Sequence, residues 1–167
     1  HDFTLKRTFK KNLSIKNLNY SKINAISIKH NKPIPLLKDL LKCSKNRYPL
    51  HIEIKPIFSK SLLKKLLKET SEFTKSVFIS FKHKNIYNLL RIKKSTKVGL
   101  SFSPPTSIKD IIKKSNNKNI NCLVLDKSYL KSENIRNLKI EKYYYTIKKK
   151  SEFIKYNKNN NLIFENL

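Results

Sequence analysis

The 167 residues are the length of one domain. Their hydrophobic content of 38% is low for a globular chain, but Ile, Leu, Phe and Tyr are spread evenly enough to build a core. Lys and Arg number 38 against 11 acidic residues, a formal net charge of +27 that raises nucleic acid or an anionic surface as partner. Lys occurs in nearly every block of ten residues, whereas a nucleic-acid binder concentrates charge in a tail or on one helix face. The crowding of Lys, Asn, Ile, Phe and Tyr beside one Gly and no Trp is the vocabulary of AT-rich codons, so the charge reads as the mutational bias of an AT-rich genome.

The chain opens His1-Asp2 and contains no Met, which leads us to expect an N-terminus truncated relative to the natural start. In chain order, Pro35 to Lys42 is a helix with Leu36, Leu37, Leu40 and Leu41 on one face. Leu50 to Ile54 is a strand, Ser61 to Leu67 a helix, Val77 to Phe81 a strand and Lys84 to Arg91 a helix. Further strands are expected at Val98 to Phe102, Cys122 to Leu125, Tyr143 to Ile147 and Leu162 to Phe164, with polar loops at Asn116 to Asn121 and Asn157 to Asn161. The strand runs are short and continuously apolar rather than alternating, as in parallel strands buried on both faces. Alternation of strand and helix argues for right-handed βαβ units. A repeat of roughly 20 to 30 residues matches the eight units of a (β/α)8 barrel.

The expected fold is therefore α/β, an incomplete TIM (β/α)8 barrel over residues 1–167, with its first strands missing ahead of His1. An open doubly wound sheet is the alternative, but it normally shows a glycine-rich phosphate loop, and the chain has one Gly. Cys43 and Cys122 lie far apart without metal-type spacing and read as reduced thiols, which points to a cytoplasmic location. No apolar run approaches the ~18 residues of a membrane span.

Four segments carry the functional signal. They are His1-Asp2-Phe3-Thr4-Leu5-Lys6-Arg7-Thr8, then Ile34-Pro35-Leu36-Leu37-Lys38-Asp39-Leu40-Leu41, then Leu50-His51-Ile52-Glu53-Ile54-Lys55. Last comes Val77-Phe78-Ile79-Ser80-Phe81 with a helix holding Leu89-Leu90-Arg91. In this order and spacing the series resembles the glycerophosphodiester phosphodiesterases. There, H-D-x-x-L-x-R-T follows the second barrel strand, I-P-x-L-x-x-x-L leads the next helix, a hydrophobic-E-hydrophobic-K strand carries a metal ligand, and a later strand ends in S-F. The resemblance implies a phosphoric diester hydrolase cleaving glycerophosphodiesters into glycerol 3-phosphate and an alcohol. It also implies a divalent metal, Ca2+ or Mg2+, a small-molecule phosphodiester as partner, and a place in lipid metabolism.

The residue types suit that chemistry. A histidine at a strand's C-terminal end can protonate the leaving oxygen, and by resemblance His1 is one of the family's two catalytic histidines. Glu53 lies on the strand face opposite Ile52 and Ile54. If it points into a barrel it needs a metal or a cation there, a lysine of a neighbouring strand being one choice. Lys55 adds fixed positive charge for the substrate phosphate. Asp2 supports the site by resemblance, with a capping or turn role left open. Arg7 is expected to support local structure by pairing with a carboxylate. His30, His51 and His83 match no family site, although His51 shares the face of Glu53.

The sequence also departs from the pattern. The family's first His-Arg and its Glu-x-Asp pair have no counterpart here, so this chain by itself is expected to be inactive. The family's W-T-V-N appears as Tyr145-Thr146-Ile147-Lys148, and Glu165 holds the acidic position of the closing T-D. A basic nucleic-acid-binding protein and an inactive barrel homologue are the competing readings. No nucleic-acid-binding motif accompanies Tyr143-Tyr144-Tyr145, which reads as a buried strand.

Overall fold

A computed structural model describes residues 2–165. The chain divides into two compact units, His1–Lys45 and Asn46–Leu167.

In the first unit an antiparallel bridge joins Thr4 to Ser14, and α1 (Lys6–Phe9) fills the loop between them. Helix α1 buries Phe9, whose ring packs at 5.6 Å against His30. Helix α2 (Tyr20–Lys29) starts where the Asn19 side chain accepts the Lys22 N–H, satisfying one of the first turn's orphan donors. Helix α3 (Leu37–Ser44) has the acidic Asp39 in its first turn, accepting the Leu36 N–H at 3.0 Å, and buries Leu41. The expected helix at Pro35 to Lys42 is thus present and set two residues later, because Leu36 takes extended backbone as the N-cap and donates its N–H to Asp39.

The second unit is a sheet of six parallel strands in sequential order. The strands are β1 (Leu50–Glu53), β2 (Ser76–Ser80), β3 (Val98–Phe102), β4 (Cys122–Asp126), β5 (Glu141–Ile147) and β6 (Asn161–Phe164). All six expected strands are present. Helix α4 (Lys60–Glu69) connects β1 to β2, α5 (His83–Ile92) connects β2 to β3, and α6 (Ile108–Ser115) connects β3 to β4. A 3-10 turn (Lys127–Lys131) and α7 (Glu133–Arg136) lead to β5, and α8 (Lys150–Tyr156) leads to β6. Ser59, Ser107 and Ser132 cap α4, α6 and α7. Lysines occupy the outer helix surfaces, while Leu63, Leu66, Ile86, Leu89, Ile111 and Ile135 are buried with the outward residues Phe78, Leu100, Phe102, Leu123 and Leu125.

The sheet is curled rather than flat. In a flat sheet β1 and β5 would stand about 19 Å apart, four strand spacings of ~4.8 Å. Instead the His51 ring of β1 meets the Tyr143 ring of β5 at 4.3 Å. The Phe81 ring, just past β2, meets Tyr145 of β5 at 5.7 Å. Inside the curl, Ile79, Cys122 and Val124 form a buried cluster flanked by Val77, Tyr143, Tyr145 and Ile163. This is a half-barrel with β1 and β6 as its edges, a partial TIM barrel in which the inward positions form a packed core.

Gly99, the single glycine, faces that interior between Cys122 and Ile79. A methyl there would meet the Cys122 Sγ at 2.5 Å, the Cys122 carbonyl oxygen at 3.0 Å and the Ile79 Cγ2 at 3.1 Å. Gly99→Ala is expected to destabilise the protein by about 1–3 kcal/mol through overpacking. Because the sulfur is the nearest obstacle, the double variant with Cys122→Ala should be less destabilised than the sum of the two single variants. Urea unfolding of the four proteins measures that coupling, and simple additivity would count against this packing.

Candidate active site

The C-terminal ends of the strands gather the polar groups, where a barrel of this type carries its chemistry. Glu53 ends β1 on the inward face, in register with Ile79 of β2, while Ile54 beyond it is buried. Lys55 turns back along the same edge, and its Nζ donates to both Glu53 oxygens at 2.9 Å. The cation that Glu53 needs is therefore supplied by its own segment rather than by a neighbouring strand.

Opposite them, Tyr145 of β5 lies in register with Asp126 of β4, donates its hydroxyl hydrogen to the Phe102 carbonyl at 2.9 Å and stacks edge-on with Phe81. Burial and the nearby charge of Asp126, with smaller contributions from Tyr129 and Glu53, push the Tyr145 hydroxyl up to about 12. Two carboxylates thus act on one phenol at the mouth. Asp126 also caps the following 3-10 turn by accepting the Ser128 N–H. Deeper inside, Tyr143 donates to Glu141 at 2.6 Å, and burial holds His51 below the usual histidine range.

A buried amide secures the Glu53–Lys55 segment. Asn85 of α5 is fully buried; its Oδ1 accepts the Phe58 N–H at 2.9 Å and its Nδ2 donates to the Pro56 carbonyl at 2.8 Å and to Ser80 Oγ at 3.3 Å. Ser80 Oγ in turn donates to the Ile54 carbonyl. The loop bearing Lys55 is therefore pinned to β2 and α5 through side-chain partners.

Of the sequence-derived site residues, Glu53 and Lys55 stand together at this mouth. Asp2 and Arg7 form an ion pair at 2.6 Å within the first unit, as expected for Arg7. His1 lies outside the described residues. Lys148 and Glu165, which hold the places of the family's Asn and Asp, lie 3.7 Å apart beyond β5 and β6. His30 and His83 have packing roles, the latter against Phe102 with its ring nitrogens near the Ser101 carbonyl and Lys114. Asp126 was not singled out from sequence; its position one residue after an expected strand was the available signal. Among the described residues no three of His, Cys, Asp and Glu come together as metal ligands. By themselves they do not fit the divalent ion that the resemblance implies. Among the described residues no helix is long and apolar enough to cross a membrane.

No protein-family model and no curated relative matches the chain. Solved structures do. A protein from Galdieria sulphuraria assigned as a glycerophosphodiester phosphodiesterase is similar with a TM-score of 0.77 at 16% identity, over 98% of this chain and 72% of that one. A glycerophosphodiester phosphodiesterase from Parabacteroides distasonis gives 0.73 at 13% identity, over 98% and 71%. An Oleispira antarctica phosphodiesterase, solved in complex with the product sn-glycerol-3-phosphate, gives 0.68 at 16% identity, over 98% and 73%. The fold of this chain is the fold of these phosphodiesterases.

Two outcomes test the geometry of the mouth. Asn85→Ala leaves the Phe58 N–H and the Pro56 carbonyl without their partner, and an expected loss of about 1–3 kcal/mol is readable by urea unfolding. Tyr145 retains its proton in the folded chain between about pH 10, where an unfolded tyrosine titrates, and about 12. Stability should therefore fall as pH rises through that window, since the folded state binds the extra proton. Tyr145→Phe should make the fall shallower, measured as the urea midpoint against pH.

Proposed function

We propose that this chain is a phosphoric diester hydrolase of the glycerophosphodiester phosphodiesterase family, releasing glycerol 3-phosphate and an alcohol. The observation that carries this proposal is the agreement of two independent features. The ordered motifs from His1 to Arg91 resemble that family, and the solved structures similar to this chain over 98% of its length include its members. Glycerophosphodiesters are what deacylated phospholipids become, which places the reaction in phospholipid turnover. The free thiols of Cys43 and Cys122 favour the reducing cytoplasm.

The roles follow from charge. A phosphodiester brings one negative charge, and more builds on its oxygens as water attacks phosphorus and the bond to the alcohol oxygen breaks. Lys55 meets that charge. Glu53 holds the Lys55 ammonium at 2.9 Å and so sets where it stands. His1 gives the departing alcohol oxygen its proton, and the attacking water loses one, so that the products are a phosphomonoester and a neutral alcohol. Asp2 and Arg7 support the segment that carries His1 by their ion pair. Ca2+ or Mg2+ would supply further charge neutralisation, with Glu53 the one ligand among the sequence-derived site residues.

This chain is expected to be inactive by itself, so glycerophosphocholine is incubated both with it and with a version supplied with the family's His-Arg and Glu-x-Asp motifs. Assay of the glycerol 3-phosphate released by that version tests the proposal. Product formation should drop about 100-fold in Glu53→Gln, the scale of losing one fixed electrostatic partner. Equal rates in the two proteins would remove Glu53 from the site. No product from any glycerophosphodiester would favour the inactive-barrel reading.

A further inference from the structure

Lys55 projects from the loop that joins β1 to α4, and its chain neighbours are held on both sides. Before it, Ile54 donates its N–H to the Ile79 carbonyl at 2.8 Å, and the Ile54 carbonyl accepts from Ser80 Oγ. After it, the Pro56 carbonyl accepts from Asn85 Nδ2 at 2.8 Å, and the Phe58 N–H donates to Asn85 Oδ1 at 2.9 Å. Pro56 also disfavours helical backbone at Lys55, the residue before it.

Both clamps lead to one amide. Asn85 Nδ2 reaches Ser80 Oγ at 3.3 Å and the Ile54 carbonyl at 3.5 Å, so the same side chain touches the groups that hold Lys55 from either side. Asn85 is fully buried on the face of α5 that also buries Ile86 and Leu89. An apolar residue there could pack against the sheet as those two do, and a buried amide is costly unless it is bonded. What the amide supplies that a hydrocarbon could not is a fixed backbone around Lys55.

That backbone matters because the Lys55 side chain is 31% exposed, and ion pairs in such positions hold their partners weakly. The Glu53 carboxylate sets where the ammonium stands only while the loop beneath keeps it within reach. We propose that Asn85 is a positioning residue of the phosphodiester site, placing the Lys55 ammonium without touching substrate. This deepens the hydrolase reading and rests on it.

Competitive acetylation of the full chain, quantified by mass spectrometry at Lys55 relative to Lys64 on α4, reads the ammonium without any turnover. Lys55 should label more slowly than Lys64, because both Glu53 oxygens hold it. Asn85→Ala should raise Lys55 labelling about threefold, the scale of a partly exposed ion pair, toward its value in Glu53→Gln. Ser80→Ala removes less of the network and should shift it the same way, which keeps the test available if Asn85→Ala does not fold. Ile86→Val, a core change one residue along α5, should leave it at the wild-type value. In the version supplied with the His-Arg and Glu-x-Asp motifs, Asn85→Ala should raise KM for glycerophosphocholine about tenfold. A merely less stable enzyme would lose kcat and keep its KM. The rise should vanish in a Lys55→Gln background, because Asn85 acts through that lysine. Wild-type labelling of Lys55 in both Asn85→Ala and Ser80→Ala would overturn the positioning while the hydrolase reading stands. No turnover from the motif-supplied version with Asn85 in place would instead remove the hydrolase reading, and the role in phosphate contact with it.

Discussion

Burial of the inner face of a parallel sheet is the constraint on which the second unit depends. Helices cover the outer face, so Phe78, Leu100, Leu123 and Leu125 leave water there. Nothing from α4 to α8 can cover Val77, Ile79, Val124 and Tyr143 on the other side, and the sheet covers them by curling until β1 meets β5. That curl brings inward residues of non-neighbouring strands together at two levels. His51 and Tyr143 meet near the strand beginnings, and Glu53, Phe81 and Tyr145 gather near the ends. The mouth is therefore a consequence of core packing. Its polar groups come from adjacent or near-adjacent positions on strands whose other residues close the interior, and Gly99 marks how little room the closure leaves.

Much of this was legible in the sequence because parallel strands advertise themselves. Leu123-Val124-Leu125 and Val77-Phe78-Ile79 are apolar without alternation, as burial on both faces requires. The strand boundaries moved by no more than two residues, as at Glu141, where polar residues join β5 through backbone pairing that no side-chain pattern reveals. Helices α4 and α5 were plain from their leucine spacing. Helices α6, α7 and α8 were harder to read: α7 is four residues long, and α8 contributes no fully buried side chain. Their serine caps, Ser107 and Ser132, were the clearer signals.

Site legibility divides along the same line. Glu53 and Lys55 were legible through the resemblance of Ile52-Glu53-Ile54-Lys55 to the family's strand motif, and the structure pairs the carboxylate that ends β1 with the lysine just past it. The groups that complete the mouth, Asp126 and Tyr145, come from strands more than 70 residues further along, and only the curl brings them near. Asn85 was invisible for a different reason. An asparagine in a lysine-rich, asparagine-rich chain looks like surface, yet this one is buried because a loop with four residues between Ile54 and Ser59 offers backbone groups that nothing else can satisfy.

The net charge of +27 takes on a different meaning once positions are known. Most lysines are exposed on helices and loops alike, where they are solvated and screened, and they say little about a partner. What separates a binding group from that background is the company it keeps. Lys55 is held by the Glu53 carboxylate two residues before it. That carboxylate fixes where the ammonium stands. Composition drift can add lysines anywhere on such a surface, but it supplies no reason for a loop tied down through a buried asparagine beside that ion pair.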